Sequence, residues 1–311
     1  MSRCLLLLVR VIVLFPLMSC ATDNKPKKTS QTIQDVDGKF VRYLALSRSQ
    51  QDQNGYITKK CDMAFHTALY AAATGLDIDF TLIRNEDGQL FRTWAKDCLA
   101  TGRSRSTFSR DPWLALLLVS WVREDLDYVE RMIKYVEDHD GKIGDHDGSA
   151  SGLSRVVMTP QLLHLAYRVR HKLGGDAPPI PKLPEVYSDV KGSDGALQVL
   201  FILVSGLVDG GIDERARNQL NWHKDNSPRN AFFHAVRDKF TDGDQAKAIE
   251  LIMDERLYPA DRLPQSSDRC SNYLHTRDDA NGNYEPCGDD EIHPGHDFLI
   301  VSAIILGKLK Y

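Results

Sequence analysis

Carboxylates are the residues of this chain best placed to do chemistry. Asp111 follows Arg110 and precedes Pro112, at the mouth of an apolar run that begins at Trp113. An aspartate before proline at a helix start is a good N-cap, worth about 1 kcal/mol. The same group facing a cavity would be a proton donor or a base. A second dense run is Asp138-His139-Asp140-Gly141-Lys142-Ile143-Gly144-Asp145-His146-Asp147-Gly148. It fails as a calcium loop, because Lys142 holds the fifth place and Ser149 the twelfth, where a bidentate acid is needed. Asp-Gly pairs are ordinary turn chemistry, so a solvated turn is one expectation. The other makes Asp145 or Asp147 one member of an acid/base pair. Asp111 and Asp145 form the candidate catalytic pair, with Arg110 and Asp147 beside them as substrate contacts. One carboxyl would protonate a leaving oxygen while the other activates water, across about 6.5–9.5 Å for an inverting reaction.

The polar stretch from Leu263 to His296 adds Tyr273, His275, Arg277, Asp278 and Tyr284. Aromatic faces, bidentate hydrogen-bonding groups and charge are the mixture that grips sugars. Asp279, Asn281, Asn283 and Asp290 imitate calcium-loop positions, but Gly282 comes early and Tyr284 stands where glycine belongs. His293-Pro294-Gly295-His296-Asp297 opens the last apolar run. Its two histidines have no third ligand at metal spacing, and a helix start there would hold an anion as well. His296 is therefore counted among the substrate contacts, with no metal and no cofactor expected. Arg103, Arg105 and Arg110 precede the Trp113 run; facing a cavity they would favour an anionic glycan, and otherwise they form a solvated basic loop. Gly148-Ser149-Ala150-Ser151-Gly152 is not a nucleophile elbow, and neither H-E-x-x-H nor a P-loop occurs.

Helices must position these groups. Leu126, Val129, Ile133 and Val136 make one stripe, Leu162, Ala166, Val169 and Leu173 a second, and Ala246, Ile249, Met253 and Leu257 a third. Trp113–Val122, Ala196–Val208 and Phe298–Leu306 are apolar all round, so they must be packed on every side. A buried run followed by an amphipathic one recurs, with Ile212, Ala216 and Leu220 sharing a face after the second. Two concentric rings of helices would require that order. Strand signals are scarce; Gly55-Tyr56-Ile57-Thr58 is at most a hairpin edge. About ten or eleven helices are expected. With 39 Lys+Arg against 43 Asp+Glu, no basic surplus points to nucleic acid.

The layout resembles the α/α toroid of the six-hairpin glycosidase-like proteins. Ser109-Arg110-Asp111 opening a buried helix is similar to a turn of such proteins, as are Pro259-Ala260-Asp261-Arg262-Leu263-Pro264, Asp268-Arg269 and Arg277-Asp278. The resemblance implies a single all-α domain over residues 38–311, with hairpins trimmed from the full set of twelve helices and short β-hairpins at most. It further implies a glycosidase or polysaccharide lyase using carboxylates. The alternative is a non-catalytic protein that binds a glycan or an envelope protein with the same surface.

Residues 1–19 read as a signal peptide: Arg3 and Arg10, no acid, and an apolar run too short and too interrupted to span a bilayer. Leu17-Met18-Ser19-Cys20 resembles the bacterial lipoprotein box. That resemblance makes Cys20 the lipidated N-terminus, with residues 20–37 a flexible tether. Ala21 then resembles the sorting pattern for the outer membrane of a Gram-negative cell, so a lipid-anchored cell-envelope location is expected. Cys61, Cys98, Cys270 and Cys287 remain, an even number in an exported chain. Of three connectivities, Cys61–Cys98 and Cys270–Cys287 join nearest neighbours and are favoured.

Overall fold

Nine consecutive residues from Pro112 to Ser120 are buried, and burial on every side is what the apolar run beginning at Trp113 demands. The computed structural model describes residues 28–58, 60–102, 104–148, 152–177, 186–190, 192–265, 292–293 and 295–309. In chain order the helices are α1 (Lys28–Arg48), α2 (Met63–Thr74), α3 (Arg110–Arg123), α4 (Leu126–Asp138), α5 (Pro160–Lys172), α6 (Gly192–Asp209), α7 (Glu214–Asn226), α8 (Ala231–Phe240), α9 (Ala246–Met253) and α10 (His296–Ile305). Strands β1 (Lys142–Gly148) and β2 (Gly152–Val157) pair antiparallel between α4 and α5. The described residues are thus all-α, with one two-stranded sheet.

Local chemistry sets several boundaries. Asp125, Thr159, Asp213 and Asn230 each accept a hydrogen bond from a first-turn amide of α4, α5, α7 and α8. Pro160 adds its preset φ to the start of α5. Gly75 ends α2 in the left-handed region, donating to the Ala71 carbonyl. The α4 stripe buries Val129, Ile133 and Val136, and α5 buries Leu162, Ala166 and Val169 while Leu173 caps its end.

Three expectations need correction. The tether expected over residues 20–37 is helical from Lys28. Val36, Phe40 and Tyr43 form a buried stripe at i, i+4 and i+7 on α1. Buried Lys39 donates to the Ile252 carbonyl and to Glu255, 3.2 Å away. In α9 the buried face is Ala248, Leu251 and Ile252, while Ala246 is exposed. Ile249 and Met253 flank that face, and Leu257 is buried beyond the helix end. The polar run around Asp145 is a strand rather than a turn. Backbone bonding carries it: beyond the β2 ladder, Thr107 N–H donates to the Asp145 carbonyl and Asp147 N–H to the Arg105 carbonyl, each at 2.8 Å. Gly144 permits that approach, since a Cβ there would stand 3.0 Å from the Phe108 backbone. The hairpin edge at Gly55–Thr58 does form, as a bridge between Gln51 and Ile57.

The most buried helices are mutual neighbours. α10 packs on α2, α2 on α3, α3 on α6, α6 on α8, and α8 on α10. The others lie against these: α1 and α9 on α10, α4 and α5 on α3, and α7 on α8. A disulfide between Cys61 and Cys98, with Cα atoms 5.8 Å apart, ties the entry of α2 to the long segment before α3. Cys270 and Cys287 lie outside the described residues, as do residues 1–27 with Cys20. No helix among the described residues is long and apolar enough to cross a membrane.

Candidate functional site

The N-terminal ends of α2, α3 and α6 bring charge together. Asp62 holds the N-cap position of α2 without a capping bond from its side chain, Asp111 lies in the first turn of α3, and Asp194 lies in the first turn of α6. Arg92 links the first two: it pairs with Asp62 and its charge acts on Asp111. Its guanidinium donates to Asp62 at 2.6 Å and to Ser106 Oγ at 3.0 Å. Its own carbonyl accepts from Ala64 N–H in the first turn of α2, and its N–H donates to the Thr107 carbonyl. Arg92 is therefore stitched by backbone and side chain to both flanks of the site.

Ser109, not Asp111, holds the N-cap position of α3. Its hydroxyl is buried without a hydrogen-bond partner among the described residues. Asp111 is thus free of the capping role that its sequence position offers. Burial pushes the Asp111 carboxyl above the usual carboxylate range. Arg92 pulls it back, Asp62 pushes it up again, and Arg110 and Asp194 act in opposite senses more weakly. The positive end of α3 also favours the ionised form, yet burial is the largest effect.

A cleft of about 410 Å³ is lined by Arg110, the residue before Asp111, but not by Asp111 itself. Arg110 of α3 stands on one wall, and Asp194, Leu197, Gln198 and Phe201 of α6 make another. The start of α5 and the segment 186–190 complete it. That segment is held from behind. Gln219 donates to the Ser188 carbonyl at 3.1 Å, and the Gln198 carboxamide lies 2.8 Å from His223 Nε2. Gly195 is required here: a Cβ on it would stand 2.9 Å from the Val190 carbonyl and 3.3 Å from the His223 ring. Gly195→Ala should therefore displace residues 186–190 and cost about 1–3 kcal/mol by overpacking. Urea denaturation checks the cost; an unchanged midpoint would show that the segment is not seated on Gly195.

His223 is buried, and loss of solvation lowers its pKa to about 4, against a weaker opposing pull from Asp189. Between about 4 and 6.5 the unfolded chain binds the proton that the folded chain refuses, so stability rises with pH across that window. The contribution is complete above the unfolded value and lost as pH falls through the window, on the order of 2–3 kcal/mol. His223→Gln should flatten this dependence in denaturant titrations at several pH values. His234, also lowered by burial, supplies the same sign in both proteins, so the difference between them isolates His223. Parallel profiles would refute the assignment.

Other expected site residues stand elsewhere. The carboxylate of Asp145 meets Lys142 Nζ at 2.7 Å and accepts from Gln89 Nε2 at 3.2 Å. A bulge between Lys142 and Gly144 resets the strand alternation and puts Lys142 and Asp145 on one face. The structure does not bring Asp145 to Asp111, whose strongest charged neighbours are Arg92 and Asp62. Asp147 is exposed on β1 with His146 at 3.8 Å. Arg110 does line the cleft. Arg105 is exposed, and Arg103 lies outside the described residues. His296 does not face the cleft: it is 1% exposed, and its Nε2 lies 3.2 Å from His66 Nδ1 where α10 packs on α2. Tyr273, His275, Arg277 and Asp278 lie outside the described residues. Among the described residues no group of three His, Cys, Asp or Glu could hold a metal ion.

Sequence reasoning missed Asp62, Arg92 and Asp194. Asp62 and Asp194 carry the signal that marked Asp111, an acid at the start of an apolar helix. Arg92 carries none, because long-range folding places it. No family model matches the chain, and neither a curated protein nor a solved structure matches it.

Proposed function

We propose that this protein is a lipid-anchored component of the cell envelope that cleaves a glycan by carboxylate chemistry at the mouth of an α/α toroid. The ring reading is supported by the circuit α2, α3, α6, α8, α10, each packed on the next and the last on the first. None of the five non-adjacent pairs of that circuit shows comparable packing among the described residues. Acids at the starts of three successive members of that circuit then share one mouth. The anchoring follows from Cys20 and its box.

One observation carries the chemistry: a carboxyl whose burial favours the protonated form, Asp111, feels the charge of the exposed acid Asp194, which lines a cleft together with Arg110, the residue before Asp111. Two titratable groups in unlike environments divide the roles of acid and base. Asp111 donates its proton to the glycosidic oxygen as the bond to the anomeric carbon breaks. Asp194 takes a proton from the water that attacks that carbon. Arg110, on the cleft wall, would bind an acidic substituent of a uronic-acid glycan. Arg92 holds the mouth together and limits the rise of the Asp111 pKa.

The test is product release from oligogalacturonate and chito-oligosaccharide. New reducing ends report hydrolysis, and ultraviolet absorbance of an unsaturated product reports elimination. Turnover that disappears in Asp194→Asn supports the reading. Binding of either glycan without turnover would favour the non-catalytic binder instead.

A further inference from the structure

Behind the 186–190 segment lies a second groove of about 520 Å³ that the mechanism above does not use. Val186 and Tyr187 line it and also line the main cleft, so the two hollows adjoin at these residues. Its other lining comes from Asp189 and from Arg215, Asn218, Gln219 and Trp222 of α7. The groove is built rather than incidental: Gln219, one of its lining residues, donates to the Ser188 carbonyl and fixes the segment to α7. Its charges are one acid and one base, so it selects neither sign. What remains is two half-buried aromatic rings, Tyr187 and Trp222, in a lining that also carries the amides of Asn218 and Gln219 and the Arg215 guanidinium. Flat apolar faces ringed by hydrogen-bonding groups suit a pyranose, whose axial C–H face is apolar and whose rim is hydroxyl.

We propose that this groove is a second sugar-binding subsite, holding a ring of the same glycan chain whose reacting bond lies in the cleft. The inference rests on the glycan reading but not on catalysis. Because the hollows adjoin, a chain long enough to cross Tyr187 fills both, whereas a short one fills only the cleft.

Calorimetric titration of the mature chain with dimers and hexamers of N-acetylglucosamine and of galacturonate tests this. Expected is tighter binding of one hexamer than of its dimer. Trp222→Ala should weaken that hexamer by roughly tenfold or more and leave the dimer unchanged. Trp222→Phe, which keeps a ring, should retain most of the affinity and guards against a misfolded alanine variant. Equal affinity of dimer and hexamer, an alanine variant that binds like the wild type, or a wild type that binds neither series would overturn the subsite. If length-dependent, Trp222-dependent binding occurs without turnover, the subsite stands and the catalytic reading falls. If turnover occurs without length dependence, the subsite falls alone.

Discussion

Asp111→Asn is expected to lower kcat by about 10²–10⁴-fold, the usual contribution of a positioned general acid. The side chain keeps its shape and loses only the proton it can give, so KM should change little. Stability supplies an independent check. A carboxyl raised above its unfolded value binds more protons folded than unfolded, so it weakens the fold as pH rises past the ordinary carboxylate range. At neutral pH the amide removes that cost, and Asp111→Asn should melt no lower than the wild type. Asp145→Asn, by contrast, unpairs Lys142 and should leave turnover near the wild-type value. A large loss in Asp145→Asn with full activity in Asp111→Asn would reverse the assignment.

Removing the Cys61–Cys98 bridge should produce the largest change in stability. The bridge closes a loop with a sequence separation of 37, and confining the unfolded chain by that length contributes about 4 kcal/mol. Both sulfurs belong to residues under 5% exposed, so added reductant acts slowly and the Cys61→Ser/Cys98→Ser variant is the cleaner probe. Calorimetry should show a melting temperature lower by on the order of 10 °C. The site should suffer with the fold, because Asp62 follows Cys61 directly and loses its hold on Arg92. A variant melting with the wild type would mean that packing alone fixes the entry to α2.

Much of the helical frame was legible, and the reasons are physical. Around Trp113, Ala196 and Phe298, apolar residues without a polar side admit no surface helix, and α3, α6 and α10 are buried accordingly. The α4 stripe was legible because its two faces contrast sharply, Val129, Ile133 and Val136 against Glu130, Arg131 and Lys134. Helix α1 was not, since its first turns are as polar as any linker and its buried stripe begins only at Val36, followed by Phe40 and Tyr43. The hairpin β1–β2 was hidden for a different reason: its Asp- and His-rich strand owes its shape to main-chain bonds with residues 105 and 107, which no side-chain pattern records. In α9 the short apolar stretch fits two phases, and packing against α8 and α10 selects Ala248, Leu251 and Ile252. Asp111 was found by its place before a buried helix. Its partners were not, because Asp62, Arg92 and Asp194 converge from three separated segments.

The most direct test is the titration of the Asp111 carboxyl itself, followed by carbon NMR in the wild type and assigned by its disappearance in Asp111→Asn. A side chain that takes up its proton above the ordinary aspartate range is the expected result. Protonation at or below that range would leave the mouth of α3 without a proton to give, and would contradict the account.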